Sequence, residues 1–188
     1  MRKPIKAYLI TDPLLYPSNP QDFYLFYKKI LTKHKIFVAA YRDKIGRYDL
    51  ELIKVFLELN REFGVVSLIN SSVELGLKCG FDGIHCNSSQ FKILPEVKNK
   101  FKYVFYSAHS LEELESLKSL KITAATISPI FKTLNKGKPL GVEFLKQALN
   151  KIKNLELYAL GGIISQKEIE SLKKINVENL ASIRYFLN

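Results

Sequence analysis

Cysteine is scarce in this chain: Cys79 and Cys86 are the two it has, they form no C-x-x-C pair, and no second pair stands elsewhere to complete a zinc site. Neither a disulfide framework nor a structural metal is indicated, and a reducing cytoplasm is the expected compartment. Long hydrophobic runs are missing too. The amino-terminal stretch MRKPIKAYLITDP starts basic but reaches Asp12 and Pro13 after only a few apolar residues, too short for the apolar part of a signal peptide or for a membrane span. H-E-x-x-H, a P-loop pattern and any triad-like arrangement of Ser, His and Asp are all absent. Carboxylates are in deficit, with 18 Asp and Glu against 29 Lys and Arg and a net charge of +11. Such a balance suits an anionic partner, whether nucleic acid, a membrane surface or a phosphorylated metabolite. Most of the lysines, however, such as Lys28, Lys29, Lys146, Lys151, Lys173 and Lys174, fall where helix surfaces are expected and are interleaved with glutamates. Solubility explains that charge, so neither nucleic acid nor a membrane is expected as partner.

What is present is a 188-residue chain, 47% hydrophobic, enough for one domain over 1–188 with a substantial core. Short β-branched or aromatic runs alternate with amphipathic ones. Strands are predicted over 7–11, 37–41, 65–70, 83–86, 103–107, 123–127, 155–160 and 179–183, and helices over 22–33, 50–63, 72–79, 94–100, 111–120, 142–153 and 166–175. Phe23, Phe26, Tyr27 and Ile30 recur at helical spacing, as do Leu52, Phe56, Leu57 and Leu59. Ser110 with Glu113, and Ser165 with Glu168, have the form of capping boxes at helix starts. Eight strands alternating strictly with helices predict a parallel sheet closed as a compact (β/α)8 TIM barrel, with a doubly wound open sheet as the alternative. The chain is shorter than the roughly 200 residues at which such barrels begin. The shortfall falls after the eighth strand, where the last helix is expected to be short or missing. A flank left uncovered there, if apolar, seeks a partner, which makes a homo-oligomer an expectation.

In such a barrel, chemistry gathers at the C-terminal ends of the strands. Arg42 and Lys44 follow strand two and alternate, so that both point one way, suited to a phosphate or carboxylate. The alternative is a surface ion pair with Asp43 or Asp49. Asn70 ends strand three and Ser107 strand five. His109, just beyond Ser107, is the proton-transfer candidate, or else a helix-start histidine bonded to a backbone group. His85, between Ile84 and Cys86, reads as a satisfied core histidine, and His34 carries no role. After strand six, the loop ISPIFKTLNKGKPLG places Thr133, Asn135 and Lys136 either over an anion or in plain solvent. Gly161 and Gly162 after strand seven, with Ile183 and Arg184 after strand eight, stand where this fold commonly builds a phosphate site from backbone N–H groups. The alternative for the glycines is a tight turn needing positive φ.

YLITDP at 8–13, YRDK at 41–44, LIN at 68–70 with VELGLKCGFDGIH at 73–85, YSAHSLEEL at 106–114, SPIFKTLNK at 128–136 and LGGI at 160–163, in that order and spacing, resemble the thiamine-phosphate synthase/TenI family over nearly the whole chain. The resemblance implies a TIM barrel acting on a small phosphorylated thiazole in thiamine biosynthesis. Two activities are implied: a synthase joins a pyrimidine pyrophosphate to thiazole phosphate with Mg²⁺, and a TenI-type enzyme tautomerises a carboxythiazole phosphate. Arg42 and Lys44 match the basic pair that contacts pyrophosphate, although the glutamine expected two residues before Arg42 is Ala40. Asn70 matches, but the Mg²⁺ aspartate expected next is Ser71, and the second falls near Gln90, among Asn87, Ser88 and Ser89. Ser107, Thr133, Lys136, Gly161 and Gly162 match substrate-contact positions, while Asn135 replaces a threonine and Arg184 a serine. With both metal carboxylates gone and His109 kept, the resemblance leans to a tautomerase with no metal and no cofactor, in which Thr133, Lys136 and the glycines anchor the phosphate and His109 moves a proton. The alternatives are a synthase with Mg²⁺ as its cofactor and a non-catalytic binder of a phosphorylated ligand.

Overall fold

The computed structural model describes residues 6–133, 136–177 and 179–188. Its strands are β1 (Lys6–Ile10), β2 (Ile36–Tyr41), β3 (Val66–Asn70), β4 (Gly83–Cys86), β5 (Tyr103–Ala108), β6 (Ala124–Ile127), β7 (Glu156–Leu160) and β8 (Asn179–Ser182). All pair in parallel and in sequence order, and β8 closes the ring onto β1, with Lys6 opposite Asn179 and Leu9 opposite Ser182. The helices are α1 (Pro20–Lys33), α2 (Leu50–Phe63), α3 (Val73–Cys79), α4 (Leu94–Val97), α5 (Leu111–Leu117), α6 (Gly141–Lys151) and α7 (Gln166–Lys174). This is the (β/α)8 barrel the alternation predicts. Among the described residues no helix is long and apolar enough to cross a membrane.

The sequence sets each helix start and stop by ordinary means. Asn19 caps α1 through its side-chain oxygen, which accepts from the Gln21 and Asp22 N–H groups, and Pro20 fills the first helical position. Asp49 caps α2 in the same way, and Gly64 ends it in the left-handed conformation. Each helix lays an apolar stripe on the strands. In α1 and α2 those stripes include Tyr27 and Phe56, stacked with centroids 5.3 Å apart, and the buried Tyr27 hydroxyl donates to Asn60 Oδ1 at 2.7 Å. The helix expected over 94–100 is the single turn α4, preceded by a 3-10 turn over Ser88–Ile93. Asn87 starts that turn with a capping box closed by Gln90. The box at Ser165 and Glu168 forms as expected. At Ser110 half of it forms: Ser110 Oγ accepts from Glu113 N–H, but the Glu113 carboxylate reaches one residue further back, to His109 N–H at 2.7 Å.

Side chains on alternate strand positions fill the barrel itself. Tyr8, Ile10, Val38, Ala40, Leu68, Phe105, Ala124, Tyr158 and Ala181 form this inner cluster, with Tyr8 edge-on to both Phe105 (5.3 Å, 78°) and Tyr158 (5.7 Å, 84°). The interior is therefore a packed floor and not a pore. Two residues further along, on the same inward side, come Arg42 just past the end of β2, Asn70 after Leu68 in β3 and Ser107 after Phe105 in β5. The period-2 geometry of strands thus lifts polar side chains to the mouth above an apolar floor.

Beyond β8 stands one 3-10 turn, Tyr185–Leu187, where an eighth helix would pack. Its Phe186 is buried and edge-on to the His34 ring at 5.6 Å. The Asn188 side chain donates to Ile164 O at 3.0 Å, and Lys33 Nζ donates to the Asn188 carbonyl. Tyr185 stands edge-on to Phe186 at 5.3 Å and its hydroxyl donates to Gln166 Oε1 at 3.3 Å, so two aromatic residues and three tethers cover the seam between α1 and α7.

Candidate active site

The first half of the mouth is built by β1 and β2, which lie side by side. Arg42 N–H donates to Thr11 Oγ1 at 2.9 Å, and the guanidinium Nη1 donates to Asp12 Oδ2 at 2.7 Å. This pair is mostly buried, with side-chain exposures of 13% and 16%. The partner of Arg42 is thus neither Asp43 nor Asp49, the ones its spacing suggests. The Asp43 carboxylate accepts from the Ile45, Gly46 and Tyr48 N–H groups and holds the following loop in shape, and Asp49 is occupied as the α2 cap. Asp12 escaped sequence reasoning because thirty residues separate it from Arg42; the signal was a carboxylate at the end of the neighbouring strand. A cavity of about 200 Å³ opens beside the pair, lined by Tyr16, Tyr41 and Arg47 among others.

Among the described residues Lys44 has no such partner. It is exposed at the rim, and the Arg42 charge, then partial burial, then Lys136 hold its ammonium below the ordinary lysine range, with Asp12 opposing. Lys136 follows β6, which stands opposite β2 in a ring of eight. Cations from opposite sides of the mouth therefore repel one another, and an anion between them would relieve that repulsion.

At the ends of β3 and β4 the rim is neutral. Ser71, at φ 66°, accepts through Oγ from Asn70 Nδ2 at 2.7 Å and from Asn87 Nδ2 at 3.1 Å. Gln90 Nε2 donates to Ser71 O at 2.8 Å, and Gln90 Oε1 accepts from Asn87 N–H at 3.1 Å. Asn87 Oδ1 accepts from both the N–H and the hydroxyl of Ser89. Most acceptor oxygens here are turned onto each other's donors. Mg²⁺ selects carboxylate and phosphate oxygens, and this donor set, neutral and internally committed, does not fit it. Among the described residues no cluster of three or more His, Cys, Asp or Glu side chains is arranged to hold a metal.

His85 and His109 mark the β4 to β6 side. His85 is fully buried as a satisfied core histidine: Tyr8 OH lies 2.6 Å from Nδ1 and Ser107 Oγ 2.9 Å from Nε2, with Thr126 Oγ1 at 3.4 Å. Burial, with the Arg42 charge adding to it, lowers its pKa to about 4, so the ring is neutral. His109 is exposed at the rim, and its Nδ1 lies 2.9 Å from the Ser128 carbonyl. A carbonyl only accepts, so Nδ1 carries a hydrogen, and Nε2 makes no hydrogen bond among the described residues.

The loop after β6 is pinned at its ends. Phe131 N–H donates to Gly161 O at 3.0 Å, Ile130 N–H to Leu160 O at 2.9 Å, and Gly141 N–H to Ile130 O at 3.1 Å. Thr133 Oγ1 donates to Phe131 O at 3.1 Å, and Lys136 is exposed. Asn135 lies outside the described residues. Gly161 and Gly162 have φ of 95° and 71°, and a Cβ on Gly161 would lie 2.8 Å from Pro129 Cα, one on Gly162 2.6 Å from Lys132 O. Their immediate requirement is thus positive φ and the close approach of this loop. Ile183 is half-buried and packs on the inner cluster, while Arg184 is exposed, its N–H donating to Ser182 Oγ at 3.1 Å. The structure therefore brings Arg42, Lys44, Asn70, Ser107, His109, Thr133, Lys136, Gly161, Gly162 and Ile183 to the one end of the barrel, with Arg184 on its outer edge.

Residues 7–186 match the family model described as thiamine monophosphate synthase. A putative thiamine-phosphate synthase 2 of Aquifex aeolicus is 33% identical over 97% of this chain and 97% of its own. A thiamine-phosphate synthase of Clostridioides difficile is 26% identical over 100% of this chain and 90% of its own. Among solved structures, a thiamine phosphate pyrophosphorylase from Pyrococcus furiosus superimposes with a TM-score of 0.79 at 21% identity, covering 95% of this chain and 85% of that one, a likeness of fold.

Proposed function

The chain belongs to the thiamine monophosphate synthase family, and from that premise we propose that it binds a phosphorylated thiazole in the barrel mouth and joins it to a pyrimidine pyrophosphate. The observation that carries this reading is the crowding of positive charge at Lys44, where Arg42 and Lys136 outweigh the opposing Asp12. A pyrophosphate leaving group brings the charge those side chains need. The bond from the pyrimidine methylene carbon to the pyrophosphate oxygen breaks, and its electron pair leaves on that oxygen, towards the three cations. The thiazole nitrogen lone pair then forms the new carbon–nitrogen bond, and no proton has to move. The relatives' printed names, synthases both, support the same choice.

The neutral network of Ser71, Asn87 and Gln90 favours a second reading. Where Mg²⁺ does not fit, a proton shift on a carboxythiazole phosphate needs only an anion site and a base. His109 at the rim is the base, and Arg42 or Lys44 receives the carboxylate. The deciding experiment supplies purified protein with hydroxymethylpyrimidine pyrophosphate and thiazole phosphate, once with Mg²⁺ and once with EDTA. Thiamine phosphate formed catalytically in EDTA supports the coupling as written. Formation with Mg²⁺ alone keeps the coupling and overturns the conclusion about the metal. No product in either, together with tautomerisation by wild type and its loss in His109→Ala, establishes the second reading.

A further inference from the structure

Ser107 stands at the mouth, but its hydrogen-bonding character is set from below by two buried groups, Tyr8 and His85. Tyr8 is fully buried, and its phenol stays protonated because burial, with the neighbouring Tyr158, raises its pKa well above 10.0. Its one polar partner among the described residues is His85 Nδ1 at 2.6 Å. If Nδ1 carried the ring hydrogen, the phenol would only accept, and its own hydrogen would be buried without an acceptor, which costs more than the bond returns. Tyr8 therefore donates to Nδ1. The neutral ring must then carry its hydrogen on Nε2, pointing at Ser107 Oγ 2.9 Å away, with Thr126 Oγ1 as the more distant neighbour at 3.4 Å. Ser107 accepts from below, and its own hydrogen has to be spent elsewhere. Ser107 is half-exposed on the inward side at the end of β5, so that hydrogen faces the mouth.

We propose that the Tyr8–His85 pair fixes the Ser107 hydroxyl as a hydrogen-bond donor towards the mouth, so that His85 is a positioning residue and Ser107 selects an acceptor oxygen on the phosphorylated ligand. The ligand half of this statement rests on the reading that the mouth holds thiazole phosphate, whichever reaction follows; the donor half does not. Polarity of this kind gives specificity, because a ligand presenting a donor at that place meets another donor. The device works without titration, since His85 stays neutral across the range in which the enzyme would operate.

The ring nitrogen shifts of His85 in 15N-labelled free protein read the tautomer directly. The expected result is the Nε2–H form, unchanged from pH 5.5 to 8, and in Tyr8→Phe a mixture of the two neutral forms. The Nδ1–H form in wild type, or a ring that titrates in this range, overturns the proposal. Thiazole phosphate binding by calorimetry then tests the consequence. Ser107→Ala loses about tenfold in affinity, the size of one neutral hydrogen bond. His85→Leu loses a similar factor, and adding it to Ser107→Ala costs nothing further, because His85 acts through Ser107. His85→Gln, whose amide oxygen accepts from Tyr8 and whose NH₂ donates to Ser107, keeps the affinity within about threefold. Losses that multiply in the double variant would overturn the positioning role. If His85→Leu does not fold, Tyr8→Phe takes its place in the cycle. Failure of thiazole phosphate to bind at all overturns the proposed function, while the tautomer measurement still decides the donor.

Discussion

His85 couples the stability of the barrel to pH with a definite sign. Its pKa falls from the ordinary 6.5 to about 4 in the folded chain. A group lowered in the folded state binds its proton more readily when unfolded, so its contribution is fully present above pH 6.5 and is lost as pH falls towards 4. The loss is about 3 kcal/mol over that window, at about 1.4 kcal/mol per pH unit. Urea denaturation of wild type and His85→Gln between pH 7 and 4.5 checks it: the wild-type midpoint falls more steeply, the carboxylates common to both cancelling in the difference. The β3–β4 rim supports another expectation. Ser71→Asp with Gln90→Asp supplies two carboxylates where neutral groups now bond one another, so Mg²⁺ binding, read by calorimetry at neutral pH, appears in the double variant at a level absent from wild type. At this scale the sequence was readable for side chains whose direction follows from strand alternation, and Arg42, Asn70 and Ser107 stand at the mouth for that reason. It was unreadable for pairings across the ring. Asp12 with Arg42, and Tyr8 with His85, are separated by 30 and 77 residues, and no local pattern announces them.

Elements were legible in proportion to their periodicity. α2, with apolar residues at Ile53, Phe56 and Leu59 and with Asp49 and Gly64 at its ends, has the predicted limits. The 88–93 turn was not foreseen, because it buries no residue and rests on the polar cap between Asn87 and Gln90. Pro95 sits in the first turn of the following helix, where proline is tolerated, and the i→i+3 bonds from Asn99 N–H to Glu96 O and from Lys100 N–H to Val97 O close it earlier than its composition suggests. Strand contact gives the sharpest prediction here. A Cβ on Gly83 would stand 2.2 Å from Tyr103 O and 2.7 Å from Tyr103 Cβ, where β4 pairs with β5. Backbone cannot rotate away as a side chain does, so Gly83→Ala forces the two strands apart and costs about 3 kcal/mol or more. Thermal or urea denaturation reads that loss, whereas Gly46→Ala, with nothing within 4 Å of the added carbon but φ at +76°, shows only the smaller backbone penalty of about 1 kcal/mol.

Across the whole molecule, the charge of +11 and the convergence at the mouth act on different ranges. Net repulsion is a diffuse effect that any salt screens, with a Debye length of about 10 Å at 0.1 M. The meeting of Arg42, Lys44 and Lys136 is local and calls for a ligand with several negative oxygens. Sodium chloride added to a low-salt solution is therefore expected to raise the melting temperature modestly. Pyrophosphate at the same ionic strength raises it further, by the mass action of a bound ligand. The excess disappears in Lys44→Gln combined with Lys136→Gln, and equal effects of the two salts in wild type would remove the anion site. The barrel was the most legible feature of all, because strict alternation of eight strands leaves few other solutions. The covering of its seam by Phe186 and the tethers of Asn188 was not foreseen, being made by a short turn with no periodicity to read.

Closure of β8 onto β1 also makes the fold a matter of time on the ribosome. Lys6 pairs with Asn179, so β1 must wait for β8 to be made. At the usual pace of synthesis that wait lasts roughly ten to thirty seconds. Throughout it, the outer edge of β1 offers its backbone to any passing extended chain, and the cell has to guard a nearly finished barrel until its ends meet.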